Sequence, residues 1–433
     1  MRQMKVIEKL KTLIDMARMK YAHTDNKQEF ENPQADMSTE HSEKDNTGNV
    51  ADTKEPRVSK DNKNADENKT VNKVETKTNK ESHTGQKIKK EESNKEYLKL
   101  EPISEYAKTF RDHCIQERKR ISTGWLNFDK LLSGGLSNEL YIMAAETSTG
   151  KSAYMMAMAE SIAASGSADV IYFALEMGRD EFIARGISAI SFRHHKNDES
   201  ADLVTTKDVL YWSFDEKSHD FVRVPYEHYS IYSDEYFASY GENLFIKEAG
   251  TDGLTVRKIA NCAAAWKREH KERPVVVFVD YLQIIRADPE DRSQSDRKTK
   301  MDMIVTTLKA LASQIGMPVF TVSSVSRASY NGPINTQCFK ESGDTEYTGG
   351  ILLGWNWCGV TDQSDANERN REKKRCADRG YRIMKLEVMK FRNGERDSAA
   401  YFKYYPAYNS FEEITNTEAD RYLKEQVKLK KTF

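Results

Sequence analysis

From Ile121 to about residue 415, short apolar runs alternate with helical patterns, and this feature excludes most architectures. The runs are ELYIMAA (139–145), DVIYFALE (169–176), NLFIKEA (243–249), PVVVFVD (274–280), MPVFTVS (317–323), GILLGW (350–355) and RIMKLEVMKF (382–391). Several are apolar almost throughout, as strands covered on both faces must be; a strand with one wet face alternates instead. Strands separated by helices read as βαβ units, so the expected fold is α/β with a mostly parallel central sheet. No run reaches the ~18 to 20 apolar residues of a membrane helix, and the N-terminus lacks the apolar stretch of a secretory signal. Cys114, Cys262, Cys338, Cys358 and Cys376 form no CxxC pair. That excludes a zinc ribbon and implies free thiols in a reducing compartment. The expectation is a soluble, cytoplasmic protein with no membrane partner.

Ahead of the alternating region the composition changes. Within residues 2–21, Val6, Leu10, Leu13, Ile14 and Ala17 recur at helical spacing, giving a short amphipathic helix over 1–22. From Ala22 to Glu96 there is no leucine and one aromatic, Phe30. Such a segment cannot bury enough apolar surface to offset its ordering entropy, so 23–95 is expected to be a disordered polar linker. A linker helix over 96–120, an ATPase domain over 121–415 and a tail over 416–433 complete the expected organisation. Formal net charge is −1, from 67 Lys and Arg against 68 Asp and Glu. Nucleic-acid binding would therefore need local basic patches. The stretch from Tyr211 to Phe245 holds six tyrosines with Trp212, Phe214, Phe221 and Phe237, but its seven acids outnumber Lys217 and Arg223. Packing within the protein or between subunits explains these rings better than base stacking does.

Directly after the first run stands AETSTGKS (145–152), which opens a helical pattern. Ala145, Glu146, Thr147, Ser148, Thr149, Gly150, Lys151 and Ser152 thus have the spacing and the strand-to-helix context of a phosphate-binding loop. Backbone N–H groups would cradle the phosphates, Lys151 would neutralise them, and the Ser152 hydroxyl would ligate Mg²⁺. PVVVFVD ends in Asp280, which would reach the sheet edge beside the loop and hold the same ion. VIYFALEM leaves Glu176 at that edge, where a carboxylate can orient and deprotonate the attacking water. Together these describe an ATPase with ATP and Mg²⁺ as substrate and cofactor.

In order along the chain, AAETSTGKS, IYFALEM, VVVFVDYLQII, LKALASQIGMPVFTVSS, KESGDTEYTGGILL and VMKFRNGE resemble the C-terminal ATPase domain of the DnaB family of replicative helicases, over about residues 97–412. The resemblance implies a RecA-like fold, a homohexameric ring around single-stranded DNA, and hydrolysis at subunit interfaces that drives translocation and unwinding of forked DNA. By motif, Lys151 and Ser152 belong to the loop, Glu176 is the catalytic base, and Asp280 is the Mg²⁺-associated acid. Lys390 and Arg392 are the basic pair that reaches a neighbouring subunit's site, with Arg392 as the finger; two apart on a strand, they share a face. The channel-facing segments carry the DNA candidates Arg286, Arg327, Lys340, Glu341 and Gly343.

The match departs from the family at several places. The helical N-terminal domain has no counterpart, so primase binding does not carry over and a separate primase or helicase loader is expected. Lys340 stands where arginine is usual, and Glu146 replaces a loop arginine. Tyr347, Thr348 and Gly350 alter the segment after ESG. Ser324 stands where the family has a glutamine that senses the γ-phosphate, and a serine cannot span that distance. Two rival readings follow: a recombination ATPase of RecA type, and a non-unwinding ATP-binding accessory subunit.

Overall fold

Strand β1 (Leu140–Ala145) is buried along its length, and its side chains divide by parity. Tyr141, Met143 and Ala145 enter one core, while Leu140, Ile142 and Ala144 enter another. A pleated strand sends successive side chains to opposite faces, so apolar residues at every position require cover on both sides. The computed structural model supplies that cover. It describes residues 102–115, 120–250, 253–286, 288, 297–325, 330, 332–342, 350–361, 365–391 and 398–431. The chain divides into two units, Met1–Tyr97 and Leu98–Phe433, and the described residues all belong to the second. The helix and linker expected over 1–95 lie outside them.

The other strands are β2 (Asp169–Ala174), β3 (Ser213–Asp215), β4 (Asp220–Val222), β5 (Leu244–Glu248), β6 (Val275–Asp280), β7 (Val319–Ser324), β8 (Ile351–Trp357), β9 (Arg382–Lys390), β10 (Ala399–Tyr405) and β11 (Ser410–Ile414). Nine of them form one sheet in the order β11-β10-β9-β8-β1-β7-β6-β2-β5. From β8 to β5 all neighbours are parallel. The remaining three extend the sheet antiparallel beside β8. All seven runs read from the sequence are strands of this sheet.

The helices are α1 (Ala107–Ile115), α2 (Leu126–Leu131), α3 (Lys151–Ser165), α4 (Arg179–Asn197), α5 (Thr206–Leu210), α6 (Ser230–Tyr240), α7 (Val256–Glu269), α8 (Arg297–Ala310), α9 (Ala366–Arg379) and α10 (Asn416–Lys431). Tyr154, Met155, Met158 and Ile162 of α3 join the first core. Ile259 and Ala263 of α7, with Ile304, Val305 and Leu308 of α8, fill the second. Parallel strands need such crossover helices, and right-handed connections place them on both faces.

Three features differ from expectation. Strands β10 and β11 are absent from the sequence reading, because AAYFKYY mixes tyrosine and lysine with the apolar Ala400 and Phe402 that face the core. The expected tail after residue 415 is α10, whose Ala419 and Tyr422 are buried. Tyr422 donates to the buried Glu372 of α9 and accepts from Arg379, 2.9 Å away. The aromatic stretch splits: Tyr229, Tyr232, Tyr236 and Tyr240 pack against α4, whereas Trp212, Phe214 and Phe221, on or beside the small β3–β4 hairpin, are exposed.

A buried polar group sits where α3, α4 and α6 meet. Glu160 and the Tyr236 hydroxyl are buried against one another, and a Cβ at Gly186 would lie 2.6 Å from Glu160 Oε1. Burial pushes the Glu160 carboxyl up to about 7, against the pull of Arg193. Because that value is raised, the stabilisation is full below the ordinary carboxyl range and is lost as pH rises through about 7. Urea midpoints should therefore fall between about pH 5 and about pH 8, and Glu160→Gln should flatten the fall.

Candidate nucleotide site

The parallel strands β1, β2, β6 and β7 end along one edge of the sheet, where α/β folds place their ligands. After Ala145 the chain leaves β1 and turns through residues 146–150 into α3. Ser148 has φ +62° and Gly150 φ +91°. The left-handed conformation at Gly150 needs glycine, and a Cβ there would also lie 2.5 Å from Cε1 of Tyr404. Thr149 Oγ1 donates to the Glu146 carbonyl at 2.7 Å, closing the turn on itself. Glu146 is half-buried, and a loop that binds through backbone N–H groups tolerates an acid at that position.

Strands β8, β9 and β10 prop the loop. Trp355 Nε1 donates to the Thr149 carbonyl at 3.1 Å. Arg382 Nη1 donates to the Ser148 carbonyl at 3.3 Å, and its guanidinium lies 4.3 Å from the Trp357 ring and 5.2 Å from the Tyr404 ring. None of these four residues is marked by a motif. Their roles depend on pairings between distant strands, which a linear pattern does not display.

Lys151 is buried at 8% exposure, with Nζ 5.4 Å from the Tyr281 ring. Asp280, the last residue of β6, is 1% exposed. Its Oδ2 accepts from the Tyr172 hydroxyl at 3.2 Å, and its Oδ1 has no partner. Burial, and secondarily Glu176, raises this carboxyl above its ordinary range, while the Ser152 and Tyr172 hydroxyls and Lys151 oppose the rise. An unpartnered buried carboxylate oxygen beside a serine hydroxyl suits a hard divalent cation, which binds oxygen donors. Glu176 lies two residues beyond β2, is exposed, and lines a cavity of about 300 Å³ with Leu175, Gly253, Leu254 and Arg286.

Arg286 thus stands beside Glu176, and its backbone N–H bonds the Leu254 carbonyl at 2.9 Å. Lys390 is the last residue of β9, opposite Leu352. Lys340 and Glu341 fall in the 3₁₀ helix Thr336–Ser342. Arg392, Arg327 and Gly343 lie outside the described residues. Ser324 ends β7 beside Ala145. Its carbonyl accepts from Gln283 Nε2 at 3.0 Å, and its N–H donates to Gln283 Oε1 at 3.3 Å. Gln283 stands within DYLQ, but its partners lie 40 and 41 residues further on, where a linear pattern does not show them.

A buried parallel strand running through a left-handed glycine into Lys-Ser at a helix start, faced by a buried strand-end carboxylate, defines an α/β P-loop nucleotide-binding protein. The model of the DnaB-like helicase C terminal domain family matches residues 120–413, and the chain belongs to that family. Membership implies nucleotide use.

Among curated relatives, the replicative DNA helicase DnaB of Buchnera aphidicola subsp. Schizaphis graminum is 28% identical over 238 residues, which cover 54% of this chain and 45% of the relative. The replicative DNA helicase DnaC of Bacillus subtilis is 28% identical over 211 residues, covering 48% of this chain and 40% of the relative. The chain spans less than half the length of these two. One solved structure, an isolated ATPase domain, superposes with a TM-score of 0.55 at 18% identity, covering 73% of this chain and 100% of that one. A DnaB-like replicative helicase, described with its interactions with primase, gives 0.54 at 18% identity, covering 71% and 66%. These two likenesses show the fold. Among the described residues no helix is long and apolar enough to cross a membrane.

Since its raised carboxyl disfavours the charged form, Asp280 costs the nucleotide-free protein stability at neutral pH. Asp280→Asn should leave the melting temperature unchanged or higher, while nucleotide affinity ceases to respond to added divalent cation. Scanning calorimetry and titration with a fluorescent nucleotide check the two halves.

Proposed function

We propose that this chain is an ATP-dependent DNA helicase or translocase of the DnaB type, built on an ATPase domain over 121–415. It acts as a homohexamer on single-stranded and forked DNA in the cytoplasm, with a separate primase or loader. In this reading the backbone N–H groups of residues 146–152 bind the phosphates, and buried Lys151 neutralises them in a low-dielectric setting. Ser152 and Asp280 hold Mg²⁺, which supplies charge neutralisation on the transferring phosphoryl group. Glu176, exposed at the mouth of its cavity, orients the attacking water and takes its proton.

The observation that carries the reading is the placement of the two ends of β9. Arg382, at the start, touches the chain's own loop. Lys390 is eight residues further on, about 26 Å along the strand at ~3.3 Å per residue. A lysine side chain cannot return across that span, which supports assigning Lys390, and Arg392 with it, to a neighbouring subunit's nucleotide. Arg286, Arg327, Lys340, Glu341 and Gly343 serve the DNA, gripping phosphates without reading bases.

The test is ATP turnover with and without single-stranded DNA, together with oligomer mass and unwinding of a forked duplex. Expected are DNA-stimulated hydrolysis, closed six-membered rings, and losses of at least ~100-fold in kcat for Lys151→Ala and Glu176→Gln. Turnover indifferent to DNA would sink the proposal, and helical filaments in electron micrographs would point to a recombination ATPase.

A further inference from the structure

The turn that follows Asp280 is wired to three places. Asp280 itself faces Ser152, the Tyr281 ring lies against the Lys151 ammonium at 5.4 Å, and Leu282 is fully buried and anchors the turn. The next side chain, Gln283, is half-buried and makes three hydrogen bonds to the end of β7. Its Nε2 donates to Ser323 Oγ at 2.8 Å and to the Ser324 carbonyl at 3.0 Å, and its Oε1 accepts from the Ser324 N–H at 3.3 Å.

A carboxamide presents donor and acceptor side by side, so it reads a backbone N–H and C=O as a neighbouring strand would. The ladder between β6 and β7 runs only as far as Val279 and Thr321. Gln283 continues that pairing beyond the point where the strands separate.

The end of β7 has two further ties to the phosphate loop. The Val325 N–H donates to the Ala145 carbonyl at 3.3 Å, and the Tyr330 hydroxyl lies 3.1 Å from Thr147 Oγ1. Beyond it the chain runs to the 3₁₀ helix Thr336–Ser342, which Cys338 and Phe339 seat in the core. A displacement of the Asp280 turn on nucleotide binding therefore acts on this segment through Gln283. Hydrogen bonds at these distances weaken steeply with misalignment, so the two ends move together or separate abruptly.

We propose that Gln283 is the positioning residue that transmits the state of the nucleotide site to the segment after β7, and so sets how far single-stranded DNA stimulates hydrolysis. This deepens the helicase reading above and rests on it. Ser324 needs no reach of its own, because its backbone is held from the other side. The partners of Gln283 are Ser323 and Ser324, so it acts through what it holds.

The test uses the full chain and the variants Gln283→Met, which keeps the length and loses all three bonds, and Ser323→Ala, which loses one. Two quantities are read: the ratio of turnover with oligo-dT to turnover without it, and the dissociation constant for oligo-dT with and without a non-hydrolysable ATP analogue. Gln283→Met should keep basal turnover and lose roughly 3- to 30-fold in the stimulation ratio, with a smaller loss for Ser323→Ala. Coupling between two ligands is reciprocal, so the analogue should also cease to change DNA affinity in Gln283→Met. A merely structural bond would leave that second readout intact.

If the wild type is stimulated and Gln283→Met is stimulated equally, the inference is wrong and the helicase reading stands. A parallel fall of basal and stimulated turnover, with the ratio kept, assigns Gln283 to hydrolysis itself and also overturns it. A wild type that DNA does not stimulate removes both.

Discussion

Everything at the candidate site depends on β1 being held in parallel register between β7 and β8 with both of its faces covered. That pairing aligns the strand ends, Ala145 beside Ser324 and Trp355, and Ala174 beside Asp280 one step further along the sheet. The backbone is satisfied within the ladder up to that edge and released from it beyond. Just past the edge, the left-handed turn at Gly150 aims the free N–H groups of the next helix outward. An anion-binding surface follows from the geometry of a helix start, and its position follows from the sheet.

Strands β8, β9 and β10 bring a different kind of support. Trp355, Arg382 and Tyr404 come from β8, β9 and β10, and they meet under one loop. Trp355 and Arg382 each donate to a loop carbonyl, and the Tyr404 ring occupies the space that a Cβ at Gly150 would need. The same β9 that starts at the loop ends at Lys390, so one rigid strand joins the chain's own phosphate site to the residue pair assigned to a neighbour's site. Charge is concentrated where it costs stability. Lys151 and Asp280 are both buried, and Asp280 Oδ1 lacks a partner, the pattern of a site shaped for a ligand and not for the unliganded state.

The parallel strands were legible because burial on both faces leaves an apolar run that few other structures produce. The loop was legible because its chemistry requires particular residues at particular spacing. β10 and β11 were harder to read. Their outer face carries Tyr401, Lys403 and Tyr405, half-exposed, so the alternation is that of a surface strand and resembles a loop rich in tyrosine. α10 went unread for a related reason, since Tyr422 is buried only by virtue of Glu372 and Arg379 on α9, 50 and 43 residues away. Glu146 departs from the family's loop residue without removing the loop's chemistry, because the loop binds through its backbone.

The sequence by itself determined the class of the sheet, the order of the chemical groups along the chain, and the residues able to meet phosphate and a divalent cation. Those depend on local pattern: periodicity, a glycine that must turn left-handed, and a carboxylate at the end of an apolar run. Only the tertiary structure decided which groups meet. It put Arg286 beside Glu176, set Arg382 under Ser148, and joined Gln283 to Ser324. Each of these pairs is brought together by strand order, and strand order is chosen by the packing of whole faces, which no single stretch of residues encodes.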